Sequence, residues 1–315
     1  MPFFAGAVRP WSHGRTRALL RAPSAESDKR SRGVVALRTG SDAYPGAAVL
    51  GVEGAWRAGC GYVRYVGPRR AADLVLARRP ETVTTEPGSE AVRAQAWVIG
   101  SGTDAAARTA PETAALRALL AGADPVVVDA GALDLLPGAG APVIATPHAG
   151  EFARLRASLG LGGLVADALR DPAARAEAVH ETAEALGGAV LLKGATTLVA
   201  DGTGVISVEA GSPWLATAGT GDVLAGVIGA LVAADRAADG RTALAELAAA
   251  AAWLHGLAGR IASGTSAGGS GRPIVALEVA DALPAAFALV RNGYAGAPSD
   301  DDHDDHDEET QEDRA

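Results

Sequence analysis

A carboxylate flanked by glycines stands at the start of an apolar stretch. The motif is Gly219-Thr220-Gly221-Asp222, and the next ten residues are apolar or glycine. This pattern predicts a helix whose first turn carries Asp222, where free backbone N–H groups and the helix dipole attract anions. We expect Gly219, Thr220 and Gly221 to form an anion hole, with a hydroxyl donor from Thr220 and with Asp222 kept ionised by the helix end.

A base beside a phosphate cradle can activate a substrate hydroxyl to attack a nucleotide. The motif therefore indicates phosphoryl transfer, with Asp222 as the catalytic base. The alternative is an ordinary glycine-rich turn in which Asp222 caps a helix.

A lysine is the second candidate, in a chain that otherwise uses arginine. Lys29 and Lys193 stand against 26 arginines, and Lys193 ends a β-rich run at 189–192. A compact ammonium directed at a phosphate is one reason to keep lysine there. Chance is the alternative that the residues leave open.

The elements that must position these residues alternate between β-rich runs and helical stretches. A hairpin is indicated at 196–208, where two β-rich runs flank a glycine-containing turn. Repeated strand–loop–helix units predict an α/β fold with a mainly parallel sheet covered by helices on both faces. Strands are expected at 33–37, 61–66, 96–99, 125–128 and 142–146, and helices at about 49–60, 111–120, 171–186, 242–261 and 274–290.

Several glycine and polar residues fall where these strands end. Gly40, Gly46, Gly102, Asp129 and His148 each follow a predicted strand. Ligands of open α/β sheets bind at the carboxyl ends of the strands. We therefore expect these residues on the side of the sheet that binds the substrate.

Composition narrows the function classes. With 315 residues, 48% hydrophobic and only 4% aromatic, the chain suits a large α/β domain with a core of small aliphatic side chains. Cys60 is the single cysteine, which excludes disulfides and cysteine zinc sites within the chain. The longest apolar runs are too short or too helix-patterned to span a bilayer, and no signal peptide is evident. Cytoplasmic residence is the default expectation.

The net charge of −9 comes from the C-terminal end. Residues 300–315 hold ten acidic residues and one arginine, so acids and bases balance in the rest of the chain. A neutral body offers no basic face for nucleic acid. We expect an irregular segment at 1–30, one folded domain at 31–296 and a disordered acidic tail at 297–315.

Six segments occur together in an order that matches one enzyme family. They read GSDAYPGAA at 40–48, DAGAL at 129–133, TPHAGE at 146–151, LKGATT at 192–197, LATAGTGDVLAG at 215–226 and LHGLA at 254–258. Over about residues 30–290 the chain resembles the ADP-dependent NAD(P)H-hydrate dehydratases of the ribokinase-like superfamily. Many sugar and vitamin kinases share the GTGD element, whereas TPHxGE together with KGxxT is much more specific.

The resemblance implies a ribokinase-like fold and a repair reaction. ADP would phosphorylate the C6 hydroxyl of hydrated NADH or NADPH, the (S)-hydrate, and phosphate would then leave to restore NAD(P)H, with AMP released. By the resemblance, the hydrated cofactor is bound by Ala47, Gly102, His148 and Asp222. The nucleotide is bound by Lys193, Gly194, Ala195, Thr196, Thr197 and Gly221.

The same resemblance implies the cofactors and partners. Mg²⁺ is expected with the nucleotide, with phosphates and waters as most of its ligands. A homotetramer is expected, together with functional dependence on a separate NAD(P)H-hydrate epimerase, because only about 30 residues precede the body. No membrane or nucleic-acid partner is expected.

Other interpretations stay open beside this one. His148 can be a loop histidine bonded to backbone, Glu151 a helix cap, and His255 a satisfied core or interface histidine. Asp129 can bind substrate or orient a loop. The whole chain can instead be an ATP-dependent kinase of a vitamin precursor or small alcohol. It can also be a nucleotide-binding scaffold without activity.

Overall fold

A ten-stranded sheet forms the centre of the part of the chain that the structure describes. The structure is a computed structural model, and it describes residues 7–88, 92–162, 170–266 and 268–293. The strands are β1 Arg9–Pro10, β2 Val34–Arg38, β3 Tyr62–Val66, β4 Val83–Thr85, β5 Ala96–Ile99, β6 Val126–Val128, β7 Val143–Ala145, β8 Ala189–Leu192, β9 Thr197–Asp201 and β10 Gly204–Val208.

The strand order is β1-β10-β9-β8-β7-β6-β5-β2-β3-β4. Strand β9 runs antiparallel to β8 and β10, while the remaining neighbours are parallel. The predicted parallel sheet and the predicted hairpin are therefore confirmed. The five strands expected from β-rich runs all form, with ends within one residue of the predicted ones.

Helices cover both faces of the sheet. They are α1 His13–Leu19, α2 Gly46–Arg57, α3 Arg69–Arg78, α4 Ala110–Leu120, α5 Ala149–Ser158, α6 Pro172–Leu186, α7 Thr220–Ala237, α8 Leu244–Ser263 and α9 Ala276–Asn292. One apolar cluster joins the sheet to α2, α3, α7, α8 and α9, and a second joins its other face to α4, α5 and α6. No helix among the described residues has both the length and the hydrophobicity to cross a membrane.

The N-terminal segment differs from the irregular chain expected at 1–30. Strand β1 pairs with β10, and α1 follows it directly. Ser12 caps the helix by accepting from the Arg15 N–H, and the Trp11 indole donates to Thr16 Oγ1 at 2.8 Å. Expecting an irregular segment was wrong for residues 9–19, because these contacts were not apparent from composition. The expected tail at 297–315 lies outside the described residues.

Close helix packing fixes the start of α7 against α2. A Cβ on Gly226 would overlap the backbone oxygen of Gly51, and one on Gly54 would overlap that of Val223. Glycine at these positions lets the two backbones touch, which side chains of any size would prevent. The phosphate-loop motif therefore stands on a helix whose position is set by backbone contact.

Candidate active site

The ends of four parallel strands meet around the carboxylate of Asp129. Asp129 follows β6 and is 3% exposed. Its Oδ2 accepts from Ser101 Oγ at 3.0 Å, and its Oδ1 accepts from Thr146 Oγ1 at 2.9 Å. The Lys193 Nζ, just beyond β8, donates to the same Oδ1 at 2.9 Å. Asp129 thus ties the loops after β5, β7 and β8 to its own strand and orients the one lysine near the site.

The glycine motif forms the start of α7. Gly219 has φ +90°, the left-handed region that favours glycine, and a Cβ there would lie 2.5 Å from Leu50 Cδ1 of α2. The first N–H groups of the helix lack intrahelical partners, which makes this turn suited to an anion.

The hydroxyl of Thr220 does not have the predicted role of a donor to the anion. It donates to the Leu215 carbonyl at 2.9 Å and to the Thr217 carbonyl at 3.1 Å. Because these backbone acceptors occupy the hydroxyl hydrogen, Thr220 holds the loop in shape. The donors left for an anion are the backbone N–H groups.

The environment of Asp222 differs from the one expected for a helix N-terminus. Burial and, to a smaller extent, the charge of Asp129 raise the pKa of Asp222 from 3.8 to about 6, while the Lys193 ammonium acts in the opposite direction. The shift is therefore opposite in direction to the one expected from the helix end, and burial is its largest cause. A pKa of about 6 leaves most of the carboxylate ionised at neutral pH while making it a stronger base.

Lys193 lies between the strand ends and the helix start. A Cβ on Gly221 would lie 3.4 Å from the Lys193 Nζ, and Glu151 Oε2 is 3.9 Å from the same nitrogen. The lysine backbone N–H donates to the Pro147 carbonyl at 3.0 Å. The ammonium is thereby held beside the N–H groups of α7, so that both can face the same anion.

The TPHAGE segment forms the cap of α5. Glu151 Oε2 accepts from the backbone N–H of His148 at 2.9 Å, and His148 Nδ1 accepts from the Gly150 N–H at 3.0 Å. Glu151 therefore has the capping role, and His148 the bond to backbone, that were among their alternative interpretations. The His148 side chain is nevertheless 59% exposed and borders the cavity beside Lys193.

A cavity of about 780 Å³ opens in front of α7. It combines a polar end, formed by Lys193 and the first residues of α7, with an apolar remainder. Its lining is His148, Lys193, Gly194, Ala195, Thr197, Val208, Ala210, Gly211, Ser212, Pro213, Leu215, Ala216, Thr220, Gly221, Leu224, Ala252, His255 and Gly256. Of the residues expected to bind nucleotide, Thr196 is outside this lining, and its hydroxyl donates to Glu209 Oε1 at 3.2 Å.

Ala47 and Gly102 lie next to each other, and neither of them lines this cavity. A Cβ on Gly102, whose φ is +67°, would overlap the Ala47 Cβ and come 3.0 Å from the Tyr44 carbonyl oxygen. Gly40 joins them, because its N–H donates to the Ser101 carbonyl at 2.7 Å. The four residues expected to bind the hydrated cofactor are thus divided. His148 borders the cavity, whereas Asp222 is outside its lining, and Ala47 and Gly102 form a separate group at the start of α2.

His255 is the site residue that sequence reasoning set aside. It lies on α8, is 7% exposed and lines the cavity. Within the described part of the chain its Nε2 has no hydrogen-bond partner, so the expectation of a satisfied core histidine is wrong for this atom. The only sequence signal was the LHGLA segment, which cannot show whether a buried nitrogen is paired.

The arrangement has the groups that phosphoryl transfer needs. A carboxylate with a raised pKa can take a proton from a hydroxyl, and backbone N–H groups with an ammonium can stabilise charge on the transferred phosphoryl. The described residues contain no group of three or more His, Cys, Asp or Glu side chains that could hold a metal ion.

Comparison with known proteins identifies relatives over most of the chain. A family model described as NAD(P)H-hydrate dehydratase matches residues 35–271. A bifunctional NAD(P)H-hydrate repair enzyme of Corynebacterium glutamicum is 39% identical over 291 residues, covering 85% of this chain and 49% of that protein. An ADP-dependent (S)-NAD(P)H-hydrate dehydratase of Neisseria meningitidis is 37% identical over 254 residues, covering 76% of this chain and 80% of that protein. The chain spans about half the length of the bifunctional relatives.

Solved structures agree with the fold. The ADP/ATP-dependent NAD(P)H-hydrate dehydratase of Bacillus subtilis, co-crystallised with ATP and Mg²⁺, superposes with a TM-score of 0.77 at 30% identity, covering 91% of this chain and all of that one. A ribokinase-like superfamily protein of Enterococcus faecalis gives a TM-score of 0.74 at 24% identity, covering 92% and 98% of the two chains. The expected ribokinase-like fold is confirmed.

Proposed function

Because the chain belongs to the NAD(P)H-hydrate dehydratase family, we propose that it repairs hydrated NADH or NADPH with ADP as the phosphoryl donor. The products are NAD(P)H, AMP and phosphate. The observation that carries this proposal is that Lys193 and Gly221 line one large cavity, while Asp222, the residue after Gly221, lies within electrostatic reach of Lys193 and Asp129. The (S)-hydrate and ADP are taken from the name of the Neisseria relative.

Asp222 acts as the base in the first step. It removes the proton from the C6 hydroxyl as that oxygen attacks the β-phosphorus of ADP, and the bond to the bridging oxygen breaks to release AMP. A base is most effective when its pKa is close to the working pH, which the burial of Asp222 and its proximity to Asp129 provide.

Charge that develops on the transferred phosphoryl is stabilised by the protein. The N–H groups at the start of α7 and the Lys193 ammonium supply donors and positive charge without reorganisation. Asp129 keeps the ammonium in place through its 2.9 Å hydrogen bond. Mg²⁺ carried by the nucleotide would neutralise further charge, with phosphate and water oxygens as most of its ligands and the Asp222 carboxylate oxygens as fitting donors.

The second step is elimination. Hydroxide leaves poorly at neutral pH, whereas phosphate leaves readily with the electron pair of the C6–O bond. Loss of a proton from C5 then restores the ring double bond and gives NAD(P)H. Phosphorylation thus serves to convert the hydroxyl into a leaving group.

The test is the recovery of absorbance in the reduced-nicotinamide band. Purified protein is mixed with the (S)-hydrate of NADH, Mg²⁺ and either ADP or ATP, and AMP release is measured in parallel. Recovery of absorbance with ADP, matched by AMP release, supports the proposal. Recovery only with ATP would overturn the assignment of ADP as the phosphoryl donor.

Two controls sharpen this assay. Asp222→Asn should remove the recovery, and the (R)-hydrate is assayed beside the (S)-hydrate to compare the two epimers. Folded protein that recovers no absorbance but phosphorylates small alcohols with ATP would instead establish the kinase alternative.

A further inference from the structure

One residue that lines the cavity has a buried imidazole nitrogen with no hydrogen-bond partner among the described residues. His255 is 7% exposed, lies among the residues that line the cavity, and leaves Nε2 without a hydrogen bond to any described residue. Buried polar groups in native proteins are almost always paired, so an orphan at a cavity wall points to a ligand that supplies the partner.

The position of His255 within the cavity suggests which part of a ligand it meets. At one side lie Thr220 and Lys193, where phosphates are expected. At the other side α8 presents Ala252, one turn earlier, and the cavity continues along Leu224. The imidazole therefore stands between a polar end and an apolar remainder, as the sugar of a nucleotide stands between its phosphates and its base.

The backbone holds α8 firmly at this point. A Cβ on Gly256 would lie 2.7 Å from the carbonyl carbon of Ala210 and 2.9 Å from the backbone nitrogen of Gly211. This close contact packs α8 directly against the residues that follow β10. The position of His255 is therefore fixed by the packing of α8 and does not depend on a mobile loop.

Burial also decides the charge of the imidazole. Burial, with a smaller contribution from the Lys193 ammonium, lowers the pKa of His255 to about 4. A hydrogen bond with the Thr220 backbone acts in the opposite direction and raises the pKa. The ring is therefore neutral at physiological pH and has one donor and one acceptor nitrogen. A neutral ring suits a hydroxyl, which can accept or donate, and adds no charge beside Lys193.

We propose that His255 binds the nucleotide by a hydrogen bond between its Nε2 and a ribose hydroxyl of ADP. The inference rests on the proposed function, since it takes ADP as the occupant of the cavity. The nucleotide thereby gains a contact to its sugar from α8, in addition to the phosphate contacts from Lys193 and from the start of α7.

Two substitutions separate this contact from a packing role. His255→Leu keeps an apolar side chain of related size and removes the hydrogen bond, whereas His255→Gln retains a donor and an acceptor. ADP binding is measured by calorimetry with Mg²⁺ on both variants and the parent. Glu246→Gln, on the first turn of the same helix and outside the cavity lining, is the matched control.

We expect His255→Leu to weaken ADP binding by about five- to tenfold, the usual effect of losing one hydrogen bond. His255→Gln should stay within about threefold of the parent. The thermal midpoint of His255→Leu without nucleotide should change little, because the change removes an unpaired buried nitrogen together with a hydrogen bond to the Thr220 backbone. An ADP analogue that lacks both ribose hydroxyls should bind the parent and His255→Leu equally well.

The outcomes distinguish the inference from the function. A lower thermal midpoint with unchanged ADP affinity would assign His255 to packing and overturn the contact. An equal loss for ADP and the dideoxy analogue would overturn the ribose assignment. ADP binding that depends on His255 but yields no turnover of the hydrate would leave the contact in place and overturn the proposed reaction. A parent chain that binds no ADP would overturn both.

Discussion

Replacing Asp222 by asparagine should stabilise the protein while abolishing its activity. The pKa of Asp222 rises from 3.8 to about 6 on folding, chiefly because the carboxylate is partly buried. A raised pKa in the folded state means that the protonated acid is favoured there, so this group stabilises the fold below pH 3.8 and loses that contribution as the pH rises through 6. Above pH 6 the buried charge is a cost.

The size of that cost follows from the two pKa values. Each pH unit between them is worth about 1.4 kcal/mol, so the ionised carboxylate lowers the free energy of unfolding by about 3 kcal/mol at pH 7.5. At pH 4.5 most of the folded-state carboxyl is protonated, and the cost falls to about 1 kcal/mol. Asparagine does not titrate, so Asp222→Asn should be more stable than the parent by an amount that shrinks by about 2 kcal/mol between these pH values.

Urea unfolding of the parent and Asp222→Asn at both pH values measures this difference. Taking the difference between the two proteins at each pH removes the titration of all groups that both share. Asp124→Asn, at an exposed position, is the matched control. Turnover of the hydrate by Asp222→Asn should fall at least about 100-fold, the usual loss on removing a general base. A stability difference independent of pH would refute the reasoning.

Three further changes probe the groups around Asp222. Asp129→Asn removes a negative charge that raises the pKa of Asp222. The acid limb of the kcat/KM profile, expected near pH 6, should therefore move to lower pH. A limb that stays in place or moves to higher pH would show that the charge of Asp129 does not raise this pKa. Lys193→Ala should raise the KM for ADP by removing a charge-assisted contact, and an unchanged KM would show that the ammonium does not meet the nucleotide. Gly226→Ala should lower the free energy of unfolding by about 1–3 kcal/mol, because its Cβ overlaps the Gly51 carbonyl, and a variant with parental urea stability would show that α2 and α7 can separate without cost.

Much of the framework is predictable from the sequence, because the strands are short apolar runs between loops. Val126–Val128 and Val143–Ala145 are buried on both faces of the sheet, so their β-branched runs stand out without any periodicity. The helix α1 was missed because its stability comes from specific partners. Its cap and the Trp11–Thr16 hydrogen bond join side chains that composition does not distinguish from an irregular segment.

The site divides in the same way between local and tertiary features. The placement of Asp222 in the first turn of α7 follows from adjacent residues and was predicted. The hydroxyl of Thr220 and the nitrogen of His255 were misjudged because their partners, or the lack of them, are set by the folded chain. The same holds for Asp129, whose three hydrogen-bond donors come from three different loops.

The pKa of Asp222 shows how tertiary effects reverse the direction of shift that the local argument expects. A helix N-terminus stabilises a nearby carboxylate by about 0.3–1 kcal/mol at exposed positions, less than one pH unit. Burial acts in the opposite direction and is the larger effect here, and Asp129 adds to it from a strand more than 90 residues away in the chain. The resulting rise makes the carboxylate about 100-fold stronger as a base, yet leaves about 90% of it ionised at pH 7. The same burial that costs stability therefore gives Asp222 the basicity that the proposed reaction needs.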